Sequence, residues 1–184
     1  MGELLTMPRR ARAPRLRPRL LRSPYGHVLG PLAPIAGGAF TSSGLYVLNI
    51  IDVFDATQMA INLSLDTHKW AMYTNTLTPD FSANTVYSAT NEVSGTGYTA
   101  GGKVITGLTP TLTEAPAGTV KYDMNDQSWA SSSIANARGA ILYADALTDE
   151  LIVAMTFGAD YTSTNGTFLI QFASGGVFTL DVTP

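Results

Sequence analysis

The chain has 184 residues, enough for one domain of ordinary size plus an appendage. Hydrophobic residues make up 45% and charged residues 14%, below the roughly 25% usual for soluble domains, a composition that suits a protein packed in an assembly. The formal charge is −3, there is no cysteine, and the longest apolar stretch, around Leu45 to Ile51, is too short for a membrane-spanning helix; disulfides, Cys-based metal sites and a helical membrane span are thereby excluded.

The first element in chain order is the segment MPRRARAPRLRPRLLRSP at residues 7–24, with seven arginines and no acid. Residues 1–40 hold those arginines against Glu3 alone, a net of +6, whereas residues 41–184 hold Lys69, Lys103, Lys121 and Arg138 against thirteen acids, a net of −9. Pro8, Pro14 and Pro18 stand too close together for an uninterrupted amphipathic helix, which argues against a mitochondrial transit peptide, and no apolar core follows the charges as in a secretory signal. With Pro24, Pro31, Pro34 and the glycines between them, residues 1–43 read as an extended arm, partly polyproline II, with no core of its own. Three uses compete: a solubilising tail, a nucleic-acid contact, and docking onto partner subunits. The charge suits phosphates, but no aromatic residues interleave for base stacking. Arginine forks match carboxylates and carbonyls, so Arg9, Arg10, Arg12, Arg15, Arg17, Arg19 and Arg22 are the candidate partner-binding residues.

The body is expected to span residues 44–184. Apolar residues at Leu45, Leu48 and Ile51, or Val47, Ile51 and Phe54, recur near the helical period and predict a short helix over 44–58, capped by Ser42 or Ser43. The period then falls to two in INLSLDTHKWAMYT, with a phase break at Asp66–His68 before Trp70 and Met72. Further strands are expected at 97–108, 118–124, 137–144, 150–157, 166–173 and 176–182, joined by turn-rich connectors such as TPTLTEAPAG and LTDE. Asn165-Gly166 predicts a tight hairpin. About eight short strands argue for a mainly β domain, a β-sandwich or jelly roll, with Trp70, Trp129, Tyr143, Phe157, Phe168, Phe172 and Phe178 as its large core members.

Little of this carries chemistry. GTGYTAGG at 95–102 fails the Walker pattern because Lys103 is followed by Val104, and fails the dinucleotide pattern because residue 100 is Ala; a bend or bulge is the better reading. Ser64, Asp66 and His68 would share one face of a continuous strand, where parallel side chains cannot form a triad, so they read as a solvent-facing side. His27 and His68, the two histidines, make no zinc pair. DMNDQS at 123–128 lacks the Gly and closing Glu of a calcium loop and reads as an Asx-capped turn, leaving only a weak calcium site around Asp123 and Asp126 as an alternative. Trp and Tyr are sparse at the expected loops and offer no clear sugar platform.

Asp66-Thr67, Lys69, Ala71-Met72-Tyr73-Thr74, then Thr78-Pro79-Asp80 and NEVSGTGYTAGG at 91–102 together resemble a family of small virion proteins of tailed bacteriophages, especially those of actinobacteria. The likeness continues at Asn125 to Trp129, where Asp126 is displaced by one, at ARGAILY (137–143), FGADY (157–161), GTFLIQF (166–172) and the final GVFTL, and so covers roughly residues 45–184. It implies a virion component without catalytic residues or cofactors, of the minor capsid, decoration or minor tail kind. The arm departs from the family's pattern, in which the domain begins near the N-terminus. The expectation is a minor capsid or decoration protein whose arm lies on the major capsid protein or other virion subunits. Homo-oligomeric contacts in the particle are part of that expectation; a membrane is not, and nucleic acid is not favoured as a partner. The alternatives are a minor tail or fibre-base protein that binds a host surface and, from another class, a hydrolase or sugar-binding module.

Overall fold

A computed structural model describes residues 39–55, 61–64, 67–105 and 110–182. The arginine segment and Asp66 lie outside the described residues, as do most of the connectors at 56–66 and 106–109.

The described chain is mainly β, with several antiparallel sheets and one helix. In chain order the elements are β1 (Gly44–Leu45), α1 (Val47–Asp55), β2 (His68–Tyr73), β3 (Gly95–Thr96), β4 (Lys103–Val104), β5 (Thr111–Glu114), β6 (Thr119–Asp123), β7 (Gln127–Ile134), β8 (Ala137–Ala144), β9 (Glu150–Tyr161), β10 (Gly166–Ile170) and β11 (Phe178–Asp181). A five-stranded sheet runs β1-β9-β8-β2-β4, and two three-stranded sheets run β10-β7-β3 and β11-β6-β5.

The five-stranded sheet is apolar on both faces. On one face Trp70, Met72, Ala140, Leu142 and Ile152 meet Tyr122, Trp129, Phe168 and Ile170 from the two smaller sheets, the sandwich-like contact the strand count predicts. On the other, Ala71, Tyr73, Ile141, Tyr143 and Ala154 lie under Phe40, Tyr46, Leu77, Phe81 and Tyr87. Strands covered on both sides bury nearly every residue, so the alternation expected through Trp70 and Met72 gives way in HKWAMY, as in ARGAILYA, to a continuous buried run. A register shift in the β8–β9 ladder between Leu142 and Tyr143 turns both Ile152 and Val153 toward the sandwich side.

Several expectations are corrected. Of the strand expected over 97–108, residues 106–108 lie outside the described residues, and the rest holds only the two-residue β4, with β3 just before it across the glycine loop; Leu63 and Ser64 form a turn rather than strand. β5 lies inside the expected connector TPTLTEAPAG, and β7 occupies a segment in which no strand is expected. QSWASSSI hides its strand because only one side faces the core and serines fill the rest. Of the large residues expected in the core, Phe157, Phe172 and Phe178 are only half-buried, while Tyr46, Tyr73 and Tyr122 are buried and unanticipated. Among the described side chains of the helix the apolar ones are not buried: Val47 and Ile51 are 48% and 51% exposed, and Asn49 is buried. Its Nδ2 donates to the carbonyls of Thr85 and Leu151, both at 2.7 Å, so α1 is held by a polar peg that satisfies two sheet-edge acceptors. Ser43 does not cap α1; its Oγ accepts the Thr156 amide at 2.8 Å. Asn165 takes the positive φ expected of the hairpin, yet β9 and β10 do not pair, because β9 belongs with β8 and β10 with β7.

The folded body also begins earlier than residue 44. Phe40 is fully buried, and a Cβ placed on Gly139 would come within 2.6 Å of its ring, so the missing side chain at 139 is the seat of the Phe40 ring. Thr156 Oγ1 donates to the Phe40 carbonyl at 2.8 Å and fixes the same segment. A chain truncated to begin at Ala39 is therefore expected to keep its core, whereas one beginning at Gly44, or the full chain carrying Phe40→Ala, loses about 3–5 kcal/mol. Urea unfolding followed by far-UV circular dichroism measures the difference.

Candidate functional site

The residues singled out from the sequence do not converge. Ser64 sits in a turn whose amide donates to Asn62 Oδ1 at 3.0 Å, and Asp66 lies outside the described residues. His68 opens β2 and is 1% exposed, with Nδ1 3.5 Å from the Tyr122 hydroxyl. The solvent-facing reading is thus wrong for His68: the strand begins there, and Tyr122 of β6 closes over it. Asp123 Oδ2 pairs with Lys121 at 2.7 Å, and Asp126 Oδ1 accepts the Phe172 amide at 2.9 Å, so both carboxylates serve the fold. Among the described residues no cluster of His, Asp and Glu has the arrangement of a metal site.

The glycine loop is a bend, as its spacing predicts, and its partner is Glu92. That carboxylate accepts the Tyr87 hydroxyl at 2.6 Å, the Tyr98 hydroxyl, and the Gly101 amide at 2.9 Å. Tyr98 Oη in turn accepts the Met72 amide at 2.9 Å, and the Tyr143 hydroxyl donates to the Gly101 carbonyl at 2.6 Å. The bend passes close over two strands: a Cβ on Gly95 would lie 2.0 Å from the Ser133 carbonyl, and one on Gly102 would lie 2.0 Å from that of Trp70. These glycines admit the chain's own backbone and leave no cradle for a phosphate. Lys103, whose Walker-like position drew attention, donates to the Ser128 carbonyl at 2.6 Å and lies 5.7 Å from the centre of the Trp129 ring.

A cleft opens elsewhere, where β9 and β10 part to join different sheets. The β8–β9 ladder carries Gly139 opposite Thr156 and Ala137 opposite Tyr161, so residues 157–160 bulge outward, turning at Gly158 with φ +77°. The bulge and β10 line an open cleft of about 670 Å³, within the usual range of ligand clefts. Phe157, Tyr161 and Phe168 supply aromatic surface, with ring centres 6.3 Å apart for Phe157–Tyr161 and 6.1 Å for Phe157–Phe168. Thr162, Ser163, Thr164, Thr167 and Gln171 add hydroxyls and an amide. The wall at 162–165 is pinned: Ser163 Oγ bonds Ser132 Oγ at 2.8 Å and accepts the Ile134 amide at 3.0 Å, Thr162 Oγ1 accepts the Asn136 amide, and the Asn165 amide donates to Ser133 Oγ. Sequence reasoning missed this site because it treated FGADYTSTNGTFLIQ as two paired strands and a turn. The hydroxyl run beside two aromatics was the available signal.

Burial raises the pKa of Tyr46, Tyr73, Tyr98 and Tyr122 well above the ordinary tyrosine value, and the bond to Glu92 adds to the effect at Tyr98. These phenols stay protonated in the fold while the unfolded chain would ionise near pH 10. Their contribution to stability is thus fully present below about pH 10 and is lost as pH rises through the folded-state values, at up to about 1.4 kcal/mol per pH unit for each tyrosine. Tyrosinate absorbance and loss of circular dichroism are expected to rise together in alkaline titration. Glu92→Gln, which removes the charge from three hydrogen bonds, is expected to cost about 2–3 kcal/mol, read as a lower urea midpoint.

Comparison with protein-family models, with curated proteins and with solved structures finds no match to this chain.

Proposed function

We propose that this protein is a structural component of a bacteriophage virion, a minor capsid or decoration protein anchored to neighbouring capsid subunits by its N-terminal arm, and that its role is assembly rather than catalysis. The observation that carries the reading is the division of charge, +6 over residues 1–40 against −9 over residues 41–184. An acidic body is repelled by an acidic shell, so attachment falls to the arm. The resemblance of residues 45–184 to small virion proteins supports the same setting. The uncharged cleft favours a second reading, a minor tail or fibre-base protein that touches a host surface.

Each exposed Arg–carboxylate pair contributes about 0.2–1 kcal/mol, and more where the fork is bidentate and partly buried, so several in series hold a small domain. Replacing Arg9, Arg10, Arg12, Arg15, Arg17, Arg19 and Arg22 by Gln is expected to leave a folded protein that no longer joins particles. Lys at the same positions restores incorporation only in part, because it keeps the charge and loses the fork. Quantifying the protein in purified particles checks this: normal incorporation of the Gln variant refutes the anchor, and incorporation confined to genome-filled particles points to nucleic acid instead.

A further inference from the structure

The cleft between β9 and β10 shares Phe168 and Ile170 with the core, but its outer lining faces open space. None of its thirteen lining residues is charged. A phosphate, nucleotide or carboxylate ligand would need Arg, Lys or a helix N-terminus, and the lining has none of these. The lining is not simply apolar either. The Tyr161, Thr164 and Thr167 hydroxyls and the Gln171 amide line it, and among the described residues none of these side-chain groups has a hydrogen-bond partner in the protein. A wholly apolar ligand would strip water from them and give nothing back. The matching ligand presents C–H surface to rings and hydroxyls to hydroxyls, and carries no charge.

We infer that this cleft binds an uncharged glycan, with a sugar ring against Phe157 and Tyr161 and its hydroxyls bonded to Thr164, Thr167 and Gln171. Tyr161 is 52% exposed while Phe168 is 7% exposed, so the outer ring is open to a ligand and the inner one forms a floor. The four hydrogen bonds that pin residues 162–165 hold the polar wall in place before any ligand arrives, which lowers the entropic cost of binding. A peptide strand added to β10 is the competing occupant. The register shift between Gly166 and Phe168 bends that strand and weakens it as a template. The inference does not depend on where in a particle the domain sits, and it is tested on the purified protein without particles.

The full chain is screened on a printed array of neutral and acidic glycans. It is then titrated by calorimetry with maltohexaose, cellohexaose and arabinohexaose as neutral probes, an oligogalacturonate as acidic probe and an apolar hexapeptide. At least one neutral glycan is expected to bind with a Kd of about 1 mM or below. Tyr161→Ala and Gln171→Ala are each expected to weaken it about tenfold or more, and Leu112→Ser, on β5 in another sheet, to leave it unchanged. Tyr161 and Gln171 are exposed, so both variants are expected to fold, which circular dichroism checks. Failure of every neutral glycan on the array and in titration overturns the inference. So does binding confined to acidic glycans or to the hexapeptide, or neutral-glycan binding that survives both cleft variants.

Discussion

A sheet that is apolar on both faces must be covered twice, and here the two covers differ in kind. The five-stranded sheet takes the two three-stranded sheets on one side. On the other, among the described residues, it takes Phe40, Tyr46 and the irregular stretch that carries Leu77, Phe81 and Tyr87. Irregular chain over a core brings unpaired backbone groups with it. The polar pegs of this fold answer that need: Asn49 reaches the carbonyls of Thr85 and Leu151, and Tyr73 Oη donates to the Ser88 carbonyl at 2.8 Å.

Glu92 is the most connected of these pegs. It stands where the covering stretch returns to the sheet, bridged to Tyr73 and hydrogen-bonded to two phenols and an amide of the glycine loop. A half-buried carboxylate with three donors is stabilised by charge-assisted bonds. In the same step the loop is tied to β2 through Tyr98 and to β8 through Tyr143. The glycine-rich segment that suggests a nucleotide site is thus the clasp of the cover layer, and its glycines are spent on clearance from Ser133 and Trp70.

The two surfaces proposed to act have opposite physics. The arm is dense in fixed charge, which acts at a distance and tolerates imprecise geometry. The cleft holds no charge and depends on ring faces and hydroxyls held in position. The attachment proposed for the first and the recognition proposed for the second would interfere little with one another, since screening by salt acts on fixed charge and leaves ring and hydroxyl contacts almost untouched.

Composition and local pattern determined the mainly β class, the bounds of β8 at Ala137–Ala144, the glycine loop as a bend, and the charge division between arm and body. Each is a property of neighbouring residues, which is all that periodicity and turn chemistry report. The burial of His68, the exposure of Val47 and Ile51 in α1, the hidden strand β7 and the placement of β9 and β10 in different sheets were decided by tertiary structure. In those cases the deciding partner is far away in sequence: Tyr122 for His68, Leu151 for Asn49, Trp129 for Phe168. The cleft belongs to the second group. It exists because two successive strands pair with different neighbours, and a strand's apolar pattern specifies which of its faces is buried but not which strand lies beside it.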